Sequence, residues 1–159
     1  MRRQNRSVSF WHRCRIQFPS QPSNPILNTS SNGQTAKTLV DCGNCGPDFA
    51  SIRQMVTRHF KVHVIQTHGA EDTLEVLKNR KVDLVTVNRK LDRDYTDGLD
   101  VIRQIKSDPD TNAVPVMLVS NYEEHQQTAT ETGAVPGFGK LALTDPATRS
   151  LLEPFLGDA

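Results

Sequence analysis

The chain has 159 residues, 36% hydrophobic and 23% charged, with a formal net charge of +1. That length suits one domain with a proper core. No run approaches the roughly eighteen apolar residues of a membrane span, and three cysteines do not make a disulfide scaffold.

The near-zero charge hides an asymmetry. No acid precedes Asp41, while Arg2, Arg3, Arg6, Arg13 and Arg15 crowd the start. Without those five, 14 basic residues face 18 acidic ones, leaving about −4 on the remainder. An acidic body argues against nucleic acid as its partner. The arginine-rich start lacks the continuous apolar core of a secretory signal, so a cytoplasmic location is expected.

Residues 1–36 show no strand or helix period. Pro19, Pro22, Pro25 and Asn32-Gly33 mark them as a disordered basic tail. Residues 37–159 are the domain. Thr38-Leu39-Val40 opens a short strand, and Asp41-Cys42-Gly43-Asn44-Cys45-Gly46-Pro47 predicts a glycine-rich turn. Asp48 is placed to cap a helix whose apolar residues Phe49, Ile52, Met55 or Val56, and Phe60 recur every three or four positions. Val62 to Ile65 is a second strand, and Ala70 to Asn79 a helix burying Leu74 and Leu77.

Leu84 to Val87 are four β-preferring or apolar residues in a row, the pattern of a strand buried on both faces. Its character flips at Asn88, and a polar loop runs to Asp97-Gly98 before a helix presents Leu99, Ile102 and Ile105 and stops at Asp108-Pro109. Val114 to Val119 is a fourth strand ending at Ser120. A polar helix over 122–132, a short fifth strand over 133–139 and Lys140 follow. Asp145-Pro146 starts a last helix with Leu151, Leu152, Phe155 and Leu156 as its buried stripe, which Pro154 should shorten or bend.

Five strand-then-helix units imply an α/β doubly wound, five-stranded parallel sheet with helices on both faces. The flavodoxin-like order 2-1-3-4-5 is typical of that number. In such sheets ligands and chemistry gather at the carboxyl ends of the strands, where Asn88, Ser120 and Lys140 would share one edge.

That trio, with Asp97-Gly98-Leu99, the helix Val101 to Lys106 and Val114-Pro115-Val116, resembles the receiver domain of two-component response regulators over roughly residues 37–157. The resemblance implies a strand-three aspartate that takes a phosphoryl group from a histidine kinase. It also implies a Ser or Thr and a Lys that hold the phosphoryl oxygens, and an acidic pair after strand one that holds Mg²⁺. Here Asn88 stands at the acceptor position, and an amide lacks the ionised oxygen that attacks phosphorus. Ungapped counting puts the acidic pair at Gly43 and Asn44, leaving Asp41 at best for a metal. Lys140 is followed by Leu141 where the family often has proline, and Gly137 replaces an aromatic switch residue.

The expectation is a pseudo-receiver. It is not an enzyme, has no cofactor, keeps Asp41 at best as a ligand for Mg²⁺, and is not phosphorylated at the usual site. Lys140 would bond Asn88 or Asp41 and hold one conformation. A protein partner, a histidine kinase or a separate effector, would be met through residues 122–157. Asp92 and Asp94 are the displaced acceptors to test. The competing reading is a thiol-disulfide protein built on Cys42 and Cys45, a C-x-x-C between strand and helix. Those cysteines with His63 and His68 show no metal-ligand spacing.

Overall fold

The computed structural model describes residues 35–158; the reading of 1–36 as a basic tail lies almost wholly outside them. The elements run β1 (Lys37–Cys42), α1 (Gly46–His59), β2 (Val62–Thr67), α2 (Ala70–Asn79), β3 (Leu84–Asn88), α3 (Gly98–Ser107), β4 (Val116–Val119), α4 (Glu123–Glu131), β5 (Val135–Phe138), a 3₁₀ turn (Lys140–Ala142) and α5 (Pro146–Leu156). The sheet is parallel in the order β2-β1-β3-β4-β5. The expected five-stranded order is therefore the one found.

Strand alternation divides the core into two layers. Leu39, Leu84, Met117 and Phe138 meet Ile52, Val56 and Phe60 of the α1 segment and Leu152 and Leu156 of α5. On the other face, Val40, Val85, Val87 and Leu118 meet Leu77 of α2, Leu99, Ile102 and Ile105 of α3, and Ala129 of α4. The three central strands are covered on both sides, which is why Val116 to Val119 of β4 is wholly apolar and Leu84 to Val87 of β3 is broken only by Thr86. No helix among the described residues is long and apolar enough to cross a membrane.

Four local expectations need correction. First, β1 continues through Asp41 and Cys42 instead of turning at Asp41. The Asp41 carboxylate finds partners within the fold, so a strand position is tolerated. Second, α1 starts at Gly46 with Cys45 as N-cap, and Pro47 occupies the first turn, where a missing N–H costs nothing. Asp48 is thereby freed from capping. Third, β4 begins at Val116 and not Val114. Pro115 has no N–H to add to the ladder, although its carbonyl accepts from Val85 N–H at 2.9 Å. Fourth, α5 runs through Pro154 to Leu156. Burial of Leu152 and Leu156 holds its end in place, and the Gly157 N–H still closes onto Glu153 O at 2.8 Å.

Candidate functional site

The polar edge begins where β1 ends. Gly43 adopts φ +75°, a conformation other residues enter only at a cost, and the turn lets its amide donate to Thr67 O of β2 at 2.9 Å. Its carbonyl then faces β3 and accepts from two directions, the Asp92 N–H at 3.0 Å and the Asn88 side chain at 3.1 Å. Leu91, 1% exposed, packs over this turn and anchors the loop after β3.

Asn88 at the tip of β3 donates its Nδ2 to Gly43 O at 3.1 Å and to Lys90 O at 2.6 Å. Both partners are carbonyls, so the amide must present its NH₂ to them, and the assignment of its two ends is unambiguous. A carboxylate has no hydrogen to offer either oxygen. The side chain is thus a brace between two loops.

Beneath it lies a buried polar cluster. Asp41 and Asn44 are both 0% exposed. Asp41 Oδ1 accepts from Thr86 Oγ1 at 2.7 Å and from Asn44 Nδ2 at 2.9 Å, while Asp41 Oδ2 and Asn44 Oδ1 are buried with no hydrogen-bond partner. Burial is the largest influence on the Asp41 carboxyl and raises its pKa above the ordinary range, against the opposing pull of Thr86, Asn44 and Lys140.

Lys140, separated from the end of β5 by Gly139 and opening the 3₁₀ turn, does not bond Asn88 or Asp41 as expected. Its Nζ donates to Asp48 Oδ2 at 2.6 Å across 92 positions of sequence. The Lys140 bond holds the Asp48 carboxyl below its usual pKa. Asp48 projects from the first turn of α1, so the pair ties that turn to the β5 tip. Sequence reasoning took Asp48 for a cap and missed this role; only the fold brings the two together.

Ser120, at the end of β4 and 8% exposed, has its Oγ 3.0 Å from His125 Nδ1 and accepts weakly from Tyr122 N–H at 3.3 Å. His125 also meets the Tyr122 ring edge-on, with centroids 5.3 Å apart. Asn88, Ser120 and Lys140 do converge, lining with Arg89, Tyr122 and His125 one open groove of about 420 Å³. Asp94 lies elsewhere, in a depression with His68, Glu71 and Arg93, and its Oδ1 accepts from Thr96 N–H at 2.9 Å.

The cysteine pair does not suit redox chemistry. Cys42 is a strand residue, 0% exposed, its Sγ donating to Gly69 O at 3.6 Å. Burial pushes its thiol up to about 11, the opposite of the lowered pKa a reactive thiol needs. Both Cys42 and Cys45 are free. Among the described residues, no cluster of three or more His, Cys, Asp or Glu side chains is arranged to hold a metal ion.

Comparison with solved structures places this arrangement among known folds. A signal receiver domain of a DNA-binding response regulator from Colwellia psychrerythraea is 20% identical, with a TM-score of 0.59 over 74% of this chain and 98% of that one. A putative response regulator from Chloroflexus aurantiacus is 16% identical, with a TM-score of 0.59 over 74% of this chain and 98% of that one. The phosphorylated cyanobacterial phytochrome response regulator RcpA is 15% identical, with a TM-score of 0.60 over 76% and 94%. At these identities the likeness shows the fold alone. A search of curated protein sequences finds no match. The family model for the response regulator receiver domain matches residues 48–140, from the first turn of α1 to the lysine after β5. That span covers more than half of the sequence and both members of the Lys140–Asp48 pair, and on this ground the chain belongs to the response regulator receiver domain family.

Proposed function

We propose that this receiver domain serves signal transduction without accepting a phosphoryl group at Asn88, and that it acts by binding a protein partner through residues 122–157. It performs no catalysis of its own on this reading. The observation that carries the proposal is the double donation from Asn88 Nδ2 to Gly43 O and Lys90 O. The amide has a structural task that the family's aspartate could not perform, so the residue is fitted to the site and not merely a lost nucleophile. Phosphoryl transfer depends on a positioned nucleophile and on charge neutralisation around it. Asn88 supplies no nucleophilic oxygen anion, and Lys140 is committed to Asp48.

The residues present also do not fit the Mg²⁺ that the family's acidic pair would hold. Mg²⁺ wants anionic oxygens in an octahedral shell that retains several waters. Asp41 is fully enclosed, with one oxygen engaged by Thr86 and Asn44, and burial favours its protonated form. Its unpartnered neighbour is the oxygen of a neutral amide, Asn44, and Asp48 is held by Lys140. One sealed carboxyl group beside amides is too weak a donor set.

The test is incubation of the full chain with acetyl phosphate and a divalent cation, read by intact mass and by phosphate-affinity gel. No stoichiometric adduct is expected. An acyl phosphate on the wild-type chain would overturn the proposal.

A further inference from the structure

Helix α4 is unusual in how it is held. Its sequence, Glu-Glu-His-Gln-Gln-Thr-Ala-Thr-Glu, buries only Ala129, so a hydrophobic stripe cannot account for its docking. The hydroxyls of Thr128 and Thr130 bond back to carbonyls of the helix itself, at Glu124 and Gln126. Gln126 is different. Its Nε2 donates to Leu118 O and Ser120 O, each at 3.0 Å, and reaches Phe138 O at 3.4 Å. Its Oε1 accepts from Gly137 N–H at 3.2 Å. One amide thereby serves the carboxyl end of β4 and the facing stretch of β5, where the pairing of the two strands slips between Met117 and Val119. Gly137 makes the approach possible, since a β-carbon there would collide with both the Leu118 carbonyl and Gln126 Oε1.

We infer that Gln126 is a polar latch: it sets the position of α4 on the sheet, with the buried Ala129 and the His125–Ser120 contact as lesser ties, and breaking it frees α4 and β5 while the rest of the domain stays folded. Directional hydrogen bonds to fixed carbonyls define one position, whereas apolar packing would allow sliding. Phe138 O keeps the Ser120 N–H at 3.0 Å, but an apolar side chain of equal length withdraws the donor from Leu118 O and Ser120 O and the acceptor from the Gly137 N–H. The inference deepens the proposed reading, because α4 forms part of the face assigned to the partner.

Hydrogen-exchange mass spectrometry of the full chain at pH 7 tests it with wild type, Gln126→Met and, as a control, Gln127→Met, whose native side chain bonds only the exposed Glu131. Gln126→Met should speed exchange across 123–131 and 135–138 by on the order of tenfold or more, with β1 and β3 unchanged; Gln127→Met should change nothing. Exchange within about twofold of wild type, or a rise spread evenly over the whole domain, would overturn the latch. Should Gln126→Met fail to fold, Gln126→Glu keeps the acceptor for Gly137 but turns a carboxylate toward the carbonyls. Corrected for intrinsic rates, its α4 should exchange faster at pH 8 than at pH 5, and pH-independent exchange would overturn the latch. These outcomes are separable from the acetyl phosphate test: an acyl phosphate on the wild type would remove the proposed function and leave the exchange result standing.

Discussion

Replacing Asn88 by aspartate restores the residue type a phosphate acceptor needs, and the structure says that the fold pays for it. The amide's two hydrogen bonds, at 3.1 and 2.6 Å, disappear, at about 0.5–1.5 kcal/mol each. A carboxylate then faces two carbonyl oxygens that were accepting hydrogens. Arg89 and Lys90 beside it return part of the loss by attraction, but both are already paired with Asp97. The net expectation is a destabilisation of ~2 kcal/mol at pH 7, or a melting temperature lower by on the order of 5–10 °C. The sign with pH follows from the same contact. The carbonyls raise the folded-state pKa of the new carboxyl, so the native variant binds more protons than the unfolded chain, and its deficit grows as pH rises above the unfolded value of about 3.9. Below that pH the neutral carboxyl can donate one bond, and the deficit should shrink. Urea titrations of both proteins at pH 7 and near pH 4 measure this. An Asn88→Asp variant within about 0.5 kcal/mol of wild type at pH 7 would refute the claim that the amide is a brace.

Three further substitutions probe neighbouring groups. Asp41→Asn keeps an oxygen for Thr86 and Asn44 and removes a carboxyl whose pKa is raised mainly by burial; stability that wild type loses as pH climbs through that raised pKa is kept, so the variant should gain by about 1 kcal/mol in urea at pH 8 and the gain should vanish below the ordinary aspartate pKa. Cys42, with its thiol pushed up to about 11, carries about one thiolate in a thousand at pH 8, so peptide mapping after brief iodoacetamide should find Cys45 alkylated well before Cys42; equal rates would refute the burial argument. Lys140→Met should cost no more than about 1 kcal/mol at pH 7, because both partners are partly exposed. Since Lys140 lowers the Asp48 pKa, that cost should fade as pH falls through the depressed value, as thermal melts between pH 7 and pH 3 would show.

The sheet was legible because its code is local. Leu84 to Val87 and Val116 to Val119 are short runs of apolar and β-branched residues ended by polar ones, and such runs announce buried parallel strands without reference to anything distant. Asn88, Ser120 and Lys140 could be put on one edge for the same reason, since each stands at or just past the end of a strand. What failed was whatever depended on partners far along the chain. Asp41 looked like a turn residue because a carboxylate inside a strand is tolerable only with Thr86, 45 positions away, bonded to it. Asp48 looked like a cap because nothing near it predicts a bond to Lys140. Gln126 carried no signal at all: in a polar helix, periodicity cannot tell a glutamine that faces water from one that fills the seam between two strands.

The outermost strand next to that seam constrains how the protein can assemble. β5 has only four residues, one of them the exposed Pro136, and its register against β4 is irregular. Short length, an imino acid and a slipped register are each devices that blunt a sheet border. Another polypeptide therefore meets a poor template for zipping its own backbone onto this side, and recognition there has to be written in side chains.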